Sequence, residues 1–116
     1  MERRARLRRT TDFERARREG RPWHHPMFVL IAAPNLVGHT RIGVVAGRKL
    51  GTAVARNRAK RLLREAARRL YTHLAPGWDL ILIARTAVLD AKEPQVEIAL
   101  EQVAREAGIW QKETGL

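Results

Sequence analysis

The run Arg56-Asn57-Arg58-Ala59-Lys60-Arg61-Leu62-Leu63-Arg64-Glu65 concentrates cationic side chains and holds a single carboxylate. Arginine's planar fork pairs bidentately with phosphate and stacks on bases. Set on a helix at about 100° per residue, the segment separates into two sides. Ala55, Ala59, Leu62, Leu63, Ala66 and Leu70 gather on one. Asn57, Lys60, Arg61, Arg64 and Arg68 gather on the other, with Arg56 and Arg58 flanking them. Arg56–Lys60, Lys60–Arg64 and Arg64–Arg68 are like-charge pairs at i, i+4, each costing the helix a few tenths of a kcal/mol. An ordinary solvated helix face mixes signs at that spacing. This face does not, and bound phosphates would relieve its repulsion. Arg48 and Lys49 lie just before the helix, where free N–H groups and the positive dipole end also suit phosphate.

Other chemistry is sparse. The chain has no cysteine and no serine, which excludes thiol and serine nucleophiles, disulfides and thiolate metal sites. His24 and His25 are adjacent and point to opposite faces if extended, so they do not suit one metal. His39 and His73 have no partner in sequence. Glu93, Glu97 and Glu101 read as the solvent flank of an amphipathic helix. No acidic cluster resembles a two-metal nuclease centre. No metal-binding residue is expected on the protein.

The composition supports a polyanion partner. Lys and Arg total 23 against 12 Asp and Glu, a formal charge of +11. Nucleic acid is the first partner this suggests, and an anionic membrane surface the second. A hydrophobic fraction of 45% argues for a folded domain rather than a basic tail. No apolar run approaches the roughly 20 residues of a membrane span. Charged Met1–Arg9 is followed by no apolar stretch, so a secretory signal is not expected and the cytoplasm is the default compartment.

The elements that must position the basic run follow from local signals. Thr11-Asp12-Phe13-Glu14 reads as a capping box opening a short helix to Glu19, stopped by Gly20. Arg21-Pro22-Trp23 reads as a loop, in which Trp23 either stacks on a base or caps the core. Met27–Ala33 and Thr40–Ala46 read as strands, antiparallel if joined as a hairpin. Thr52 caps a long helix to about His73, and Trp78–Ala84 is a third apolar strand. Pro94 suits the first turn of a last helix carrying Val96, Leu100, Val103 and Ala107, closed by Gly108. The pattern predicts one α+β domain over 1–116, an α/β two-layer sandwich with a mixed central sheet. Residues 1–9 form a basic arm, and 109–116 form a tail whose packing the sequence leaves unassigned.

Arg56-Asn57-Arg58, Lys60-Arg61 and Arg64-Glu65, preceded by Gly51 and by Arg48-Lys49, resemble the RNR signature of the bacterial ribonuclease P protein component. Arg41-Ile42-Gly43-Val44, Asp79–Arg85, and Leu7 with Asp12-Phe13 and Gly20 resemble its flanking strands and first helix, so the likeness spans about residues 7 to 107. The resemblance implies an accessory subunit of a ribonucleoprotein endonuclease that removes the 5′ leader of precursor tRNA. The RNA subunit would perform catalysis with Mg²⁺ held by RNA, and no further protein partner would be required. It places Arg48, Lys49, Arg56, Asn57, Arg58, Lys60, Arg61, Arg64 and Arg68 against ribonuclease P RNA. It places Phe13 and Phe28 in a cleft for the leader of precursor tRNA. Arg17 stands where many relatives carry a second cleft aromatic. Phe13 equally suits an ordinary helix-to-sheet core position, and for Phe28 core packing outweighs contact with RNA. The resemblance also implies a left-handed strand–helix–strand crossover, where general chain geometry favours the right-handed one. A structural RNA-binding protein of ribosomal type is the competing reading.

Overall fold

The computed structural model describes residues 1–111. Helix α1 spans Thr10–Glu19, followed by β1 (Arg21–His24), β2 (Phe28–Pro34) and β3 (Arg41–Val45). Helix α2 (Ala53–Leu70), β4 (Trp78–Ala84) and α3 (Glu93–Glu106) complete the order. The four strands form one mixed sheet in the order β1-β2-β4-β3, so the expected α+β class is what the chain adopts. β1 and β2 are antiparallel, β2 and β4 are antiparallel, and β3 runs parallel to β4 with α2 as the crossover.

Strand β4 is buried over nearly its whole length, and its unbroken apolar run suits the centre of a sheet. It inserts between β2 and β3. Those two strands therefore run in opposite directions without pairing, which replaces the expected hairpin contact. Residues Arg21–Trp23 are not a loop. They begin β1, whose backbone pairs Arg21 with Ala32 and Trp23 with Leu30. An edge strand tolerates Pro22 because one side of it needs no ladder donors.

Alternation divides the side chains between two faces. Phe28 and Leu30 of β2 and Leu80 and Leu82 of β4 meet Leu63 and Ala66 of α2 and Val96 and Val103 of α3 in the main core. The opposite face holds a smaller cluster in which Leu7 and Ala16 cover Ala33 and Ile81. Helix α1 lies across only part of that face, so Val29, Val45 and Ile83 stay half-exposed.

One local expectation is corrected, and the two ends of the chain gain a place in the fold. Thr11 and Glu14 lie inside α1, whose N-cap position is Arg9 with no side-chain cap, so the capping box does not form. The Leu7 N–H donates to the Ile42 carbonyl at 3.0 Å, and the helix begins two residues earlier than the box requires. The N-terminal arm is accordingly a packed element, with Ala5 and Leu7 buried. Of the tail, Ile109 is buried and Trp110 pairs with Leu74 and stacks on His73 at 5.1 Å. Positions 112–116 of the tail lie outside the described residues.

Candidate nucleic-acid interface

Helix α2 begins where the sequence places it. Thr52 Oγ1 accepts a hydrogen bond from the Ala55 N–H at 3.1 Å. Before it, Leu50 is buried and pins a short turn that leaves Arg48 and Lys49 exposed. Gly51 closes that turn at φ 107°, a backbone region that L side chains rarely adopt. Ala59, Leu63, Ala66, Ala67 and Leu70 form the buried stripe of α2.

On the opposite side Asn57, Arg61, Arg64 and Arg68 are exposed. The flanking residues differ from one another. Arg56 and Lys60 are half-buried, and Arg58 donates to the Leu89 carbonyl, in the 3-10 turn after β4, at 3.4 Å. Arg68 donates to Glu65 at 2.5 and 3.1 Å, and Arg69 donates to the same carboxylate at 3.1 Å. These hydrogen bonds hold the Glu65 carboxyl far below its ordinary range, down to about 2. Glu65 thus partly neutralises the end of the basic face at Arg68. Arg61 and Arg64 form no carboxylate pair among the described residues.

Arg61 and Arg64 border a groove of about 430 Å³ whose other wall is Phe13, Gly43 and Arg8. Gly43 on β3 is what admits the aromatic ring. A Cβ at that position would lie 2.3 Å from Phe13 Cζ. Phe13, Arg17, Arg8 and Val45 line a further depression of about 510 Å³. Strand register extends this surface across the sheet, because Val45 pairs with Ile83 and Ile83 with Val29. His24, opposite Val29, ends the row. The result is an apolar floor beneath one aromatic and two arginines, a surface that suits unpaired bases with a phosphate backbone.

Phe28 does not belong to this cleft. It is fully buried in the main core on the opposite face of the sheet, with His25 stacked on it at 5.1 Å. Phe28 shares strand β2 with Val29, and strand alternation sends the two to different sides. Val29, Ile83 and Val45 are the floor residues that the apolar runs alone did not single out. Strand parity could have suggested them once Phe13 was placed over Gly43.

A second missed feature fixes α1 over the cleft. Asp79 is fully buried inside β4 and accepts from Arg41 at 2.9 and 2.8 Å and from Asn35 at 2.9 Å. Arg15 of α1 also bonds to it. Burial would raise the Asp79 carboxyl, but the bonds from Arg41 and Asn35 and the charges of Arg41 and Arg15 outweigh it and hold it below the usual range. Its sequence signal was a lone carboxylate in an otherwise apolar strand. Among the described residues no group of three or more His, Asp or Glu is arranged to hold a metal ion. Glu93 and Glu97 share Arg69, and Glu101 pairs with Arg105.

Comparison with known proteins gives a consistent result. The profile of the Ribonuclease P family matches residues 1–108. The ribonuclease P protein component of Herpetosiphon aurantiacus is 44% identical over 110 residues, covering 95% of this chain and 89% of the relative. That of Roseiflexus castenholzii is 42% identical over 112 residues, covering 96% and 92%. The structure of the Staphylococcus aureus RNase P protein superposes with a TM-score of 0.81 at 31% identity, covering 92% of this chain and 98% of that one. The RNase P protein from Thermotoga maritima gives 0.76 at 30% identity, covering 86% and 96%.

Proposed function

The chain belongs to the ribonuclease P protein component family, and on that premise we propose how its surfaces divide the work of the ribonucleoprotein. It acts as the accessory subunit, binds ribonuclease P RNA and the 5′ leader of precursor tRNA, and promotes removal of the leader. The observation that carries this reading is the shared groove. Arg61 and Arg64 of α2 and Phe13 of α1 line opposite sides of one depression at the β3 edge. A catalytic RNA held by α2 is thereby placed beside a single strand held under α1.

The roles follow from the chemistry of each surface. Asn57, Arg61 and Arg64, with Arg48 and Lys49 at the helix entrance, bind phosphates and bases of the catalytic RNA. Arg56, Arg58 and Lys60 flank that contact, and Arg68 joins it by exchanging part of its bond to Glu65. Phe13 stacks a leader base, with Arg17 as a second, cationic platform over the Val45–Ile83–Val29 floor. The cutting chemistry belongs to the RNA subunit with Mg²⁺ held by that RNA, and the protein contributes position and charge. No described helix is long and apolar enough to cross a membrane. We place the protein in the cytoplasm on its RNA partners. No relative reported above is a ribosomal protein, and the ribosomal-type reading gains no support.

The test is precursor-tRNA cleavage by a bacterial ribonuclease P RNA at low Mg²⁺, with and without the purified protein. Stimulation by the protein is expected, together with no cleavage by the protein alone. Absence of stimulation, or cleavage without RNA, overturns the reading.

A further inference from the structure

A depression of about 760 Å³ is neither the α2 groove nor the cleft under α1. One wall is the N-terminal arm with Arg3, Arg6, Arg8 and Arg9, and the other is the β2–β3 turn at Leu36, Val37 and His39. The arm makes a short 3-10 turn over Arg3–Ala5 and then a single parallel bridge from Arg6 to Ile42. Ala5 and Leu7 point inward and are buried, while Arg4, Arg6 and Arg8 are exposed between and beside them. Two bonds fix the arm in place. The Leu7 N–H donates to Ile42 O, and the Arg4 carbonyl meets His39 Nε2 at 2.9 Å. Charge in the groove is also unbalanced. Arg15 and Arg41 at its base are matched by Asp79, Asp12 and Glu19, and Arg4 by Glu2. Arg3, Arg6, Arg8 and Arg9 have no carboxylate within salt-bridge distance among the described residues.

We infer that this groove binds the phosphodiester backbone of the precursor-tRNA leader beyond the segment held under α1. The inference rests on the proposed function and extends it to a second stretch of the same strand. Arg8 supplies the continuity, because it borders both this groove and the depression formed by Phe13, Arg17 and Val45. A strand leaving the cleft past Arg8 enters a channel of unpaired guanidiniums. Arg6 and Arg8 also border the α2 groove, whereas Arg3 and Arg9 border this channel alone, so those two arginines distinguish it from the surface offered to the catalytic RNA. A backbone already fixed on the sheet edge loses little freedom when it binds, so each contact is retained in the affinity.

Arg3 and Arg9 border this groove and neither of the other two, so the experiment uses Arg3→Gln with Arg9→Gln. Both side chains are exposed, and the melting temperature should not change. Binding of the assembled ribonucleoprotein is measured against salt for precursor tRNAs whose leader fills the cleft alone or extends well past it. For the long leader the slope of log affinity on log salt should fall by about 1.4, two contacts at the single-strand value of 0.7 each. The short-leader substrate and the affinity for ribonuclease P RNA should be unchanged. An unchanged slope with the long leader overturns the inference. So does an equal loss with both leaders or a loss of affinity for the catalytic RNA, which would assign these arginines to another RNA segment. Failure of the unsubstituted protein to stimulate cleavage would instead refute the proposed function.

Discussion

Replacing Asp79 by asparagine should loosen α1 over the cleft while leaving α2 intact. The carboxylate accepts four hydrogen bonds, from Arg15, Asn35 and twice from Arg41, and its side chain has no exposure. Asparagine keeps the shape but removes the charge and sets an NH₂ group against guanidinium donors. Removing one partner of a fully buried pair costs about 3–5 kcal/mol. The arginines here are 29% and 18% exposed and keep Glu19 and Asp12 as secondary partners, which lowers the expected loss. About 2 kcal/mol remains after that discount for solvent. At this chain length 1 kcal/mol shifts the melting temperature by about 4 °C, so a fall of about 8 °C is expected at neutral pH. The pH dependence carries its own sign. The folded carboxyl titrates below its ordinary value. Its stabilisation is therefore complete above the unfolded value of about 3.9 and disappears as pH falls through the lower folded value. Thermal unfolding followed by circular dichroism from pH 7 into acid should show the gap between the two proteins closing below about pH 4. A gap that stays constant into acid, or no fall in melting temperature at pH 7, would refute the network's role. Because Arg15 is on α1 and Arg41 on β3, the variant should also lose affinity for leader-bearing substrates while keeping its affinity for ribonuclease P RNA.

Arg64→Ala should reduce the salt slope of binding to ribonuclease P RNA by about one unit if one phosphate is lost, as read by filter binding across a salt series. Phe13→Ala should cost about 1–3 kcal/mol of affinity for precursor tRNA, the worth of one stacked base, and nothing for mature tRNA; equal losses would return Phe13 to a core role. Gly43→Ala should have a similar leader-selective effect, because its new methyl would meet the Phe13 ring at 2.3 Å and displace it. Thr52→Ala should lower stability by about 1 kcal/mol through loss of the α2 cap, measurable by urea denaturation, with the slope on denaturant unchanged.

The basic helix was legible in the sequence because its information is local. A 3.6-residue period, one capping threonine and one sign of charge place α2, its buried alanines and leucines, and its exposed Asn57, Arg61 and Arg64 without any long-range contact. Strands β2 and β4 were legible for the same reason, as short apolar runs between turn signals. Their neighbours in the sheet were not. The β2–β4 pairing joins Leu30 to Leu82 across the whole of β3 and α2, and nothing local distinguishes it from the hairpin with β3. The cleft was only half visible. Phe13 carries an aromatic signal, but the residues beneath it are set by which face each strand turns toward α1, so Phe28 was placed on the wrong side and Val29, Val45 and Ile83 were passed over. The arm shows the limit most clearly. As sequence, Met1–Arg9 is a charged end; Leu7 docking on Ile42 turns it into a fixed row of arginines, and that contact spans 35 positions of chain. Composition and period determined that this protein carries a concentrated positive charge on a folded α+β domain. Only the tertiary structure decided which of those charges share a groove, because grooves form between elements that are distant in the chain.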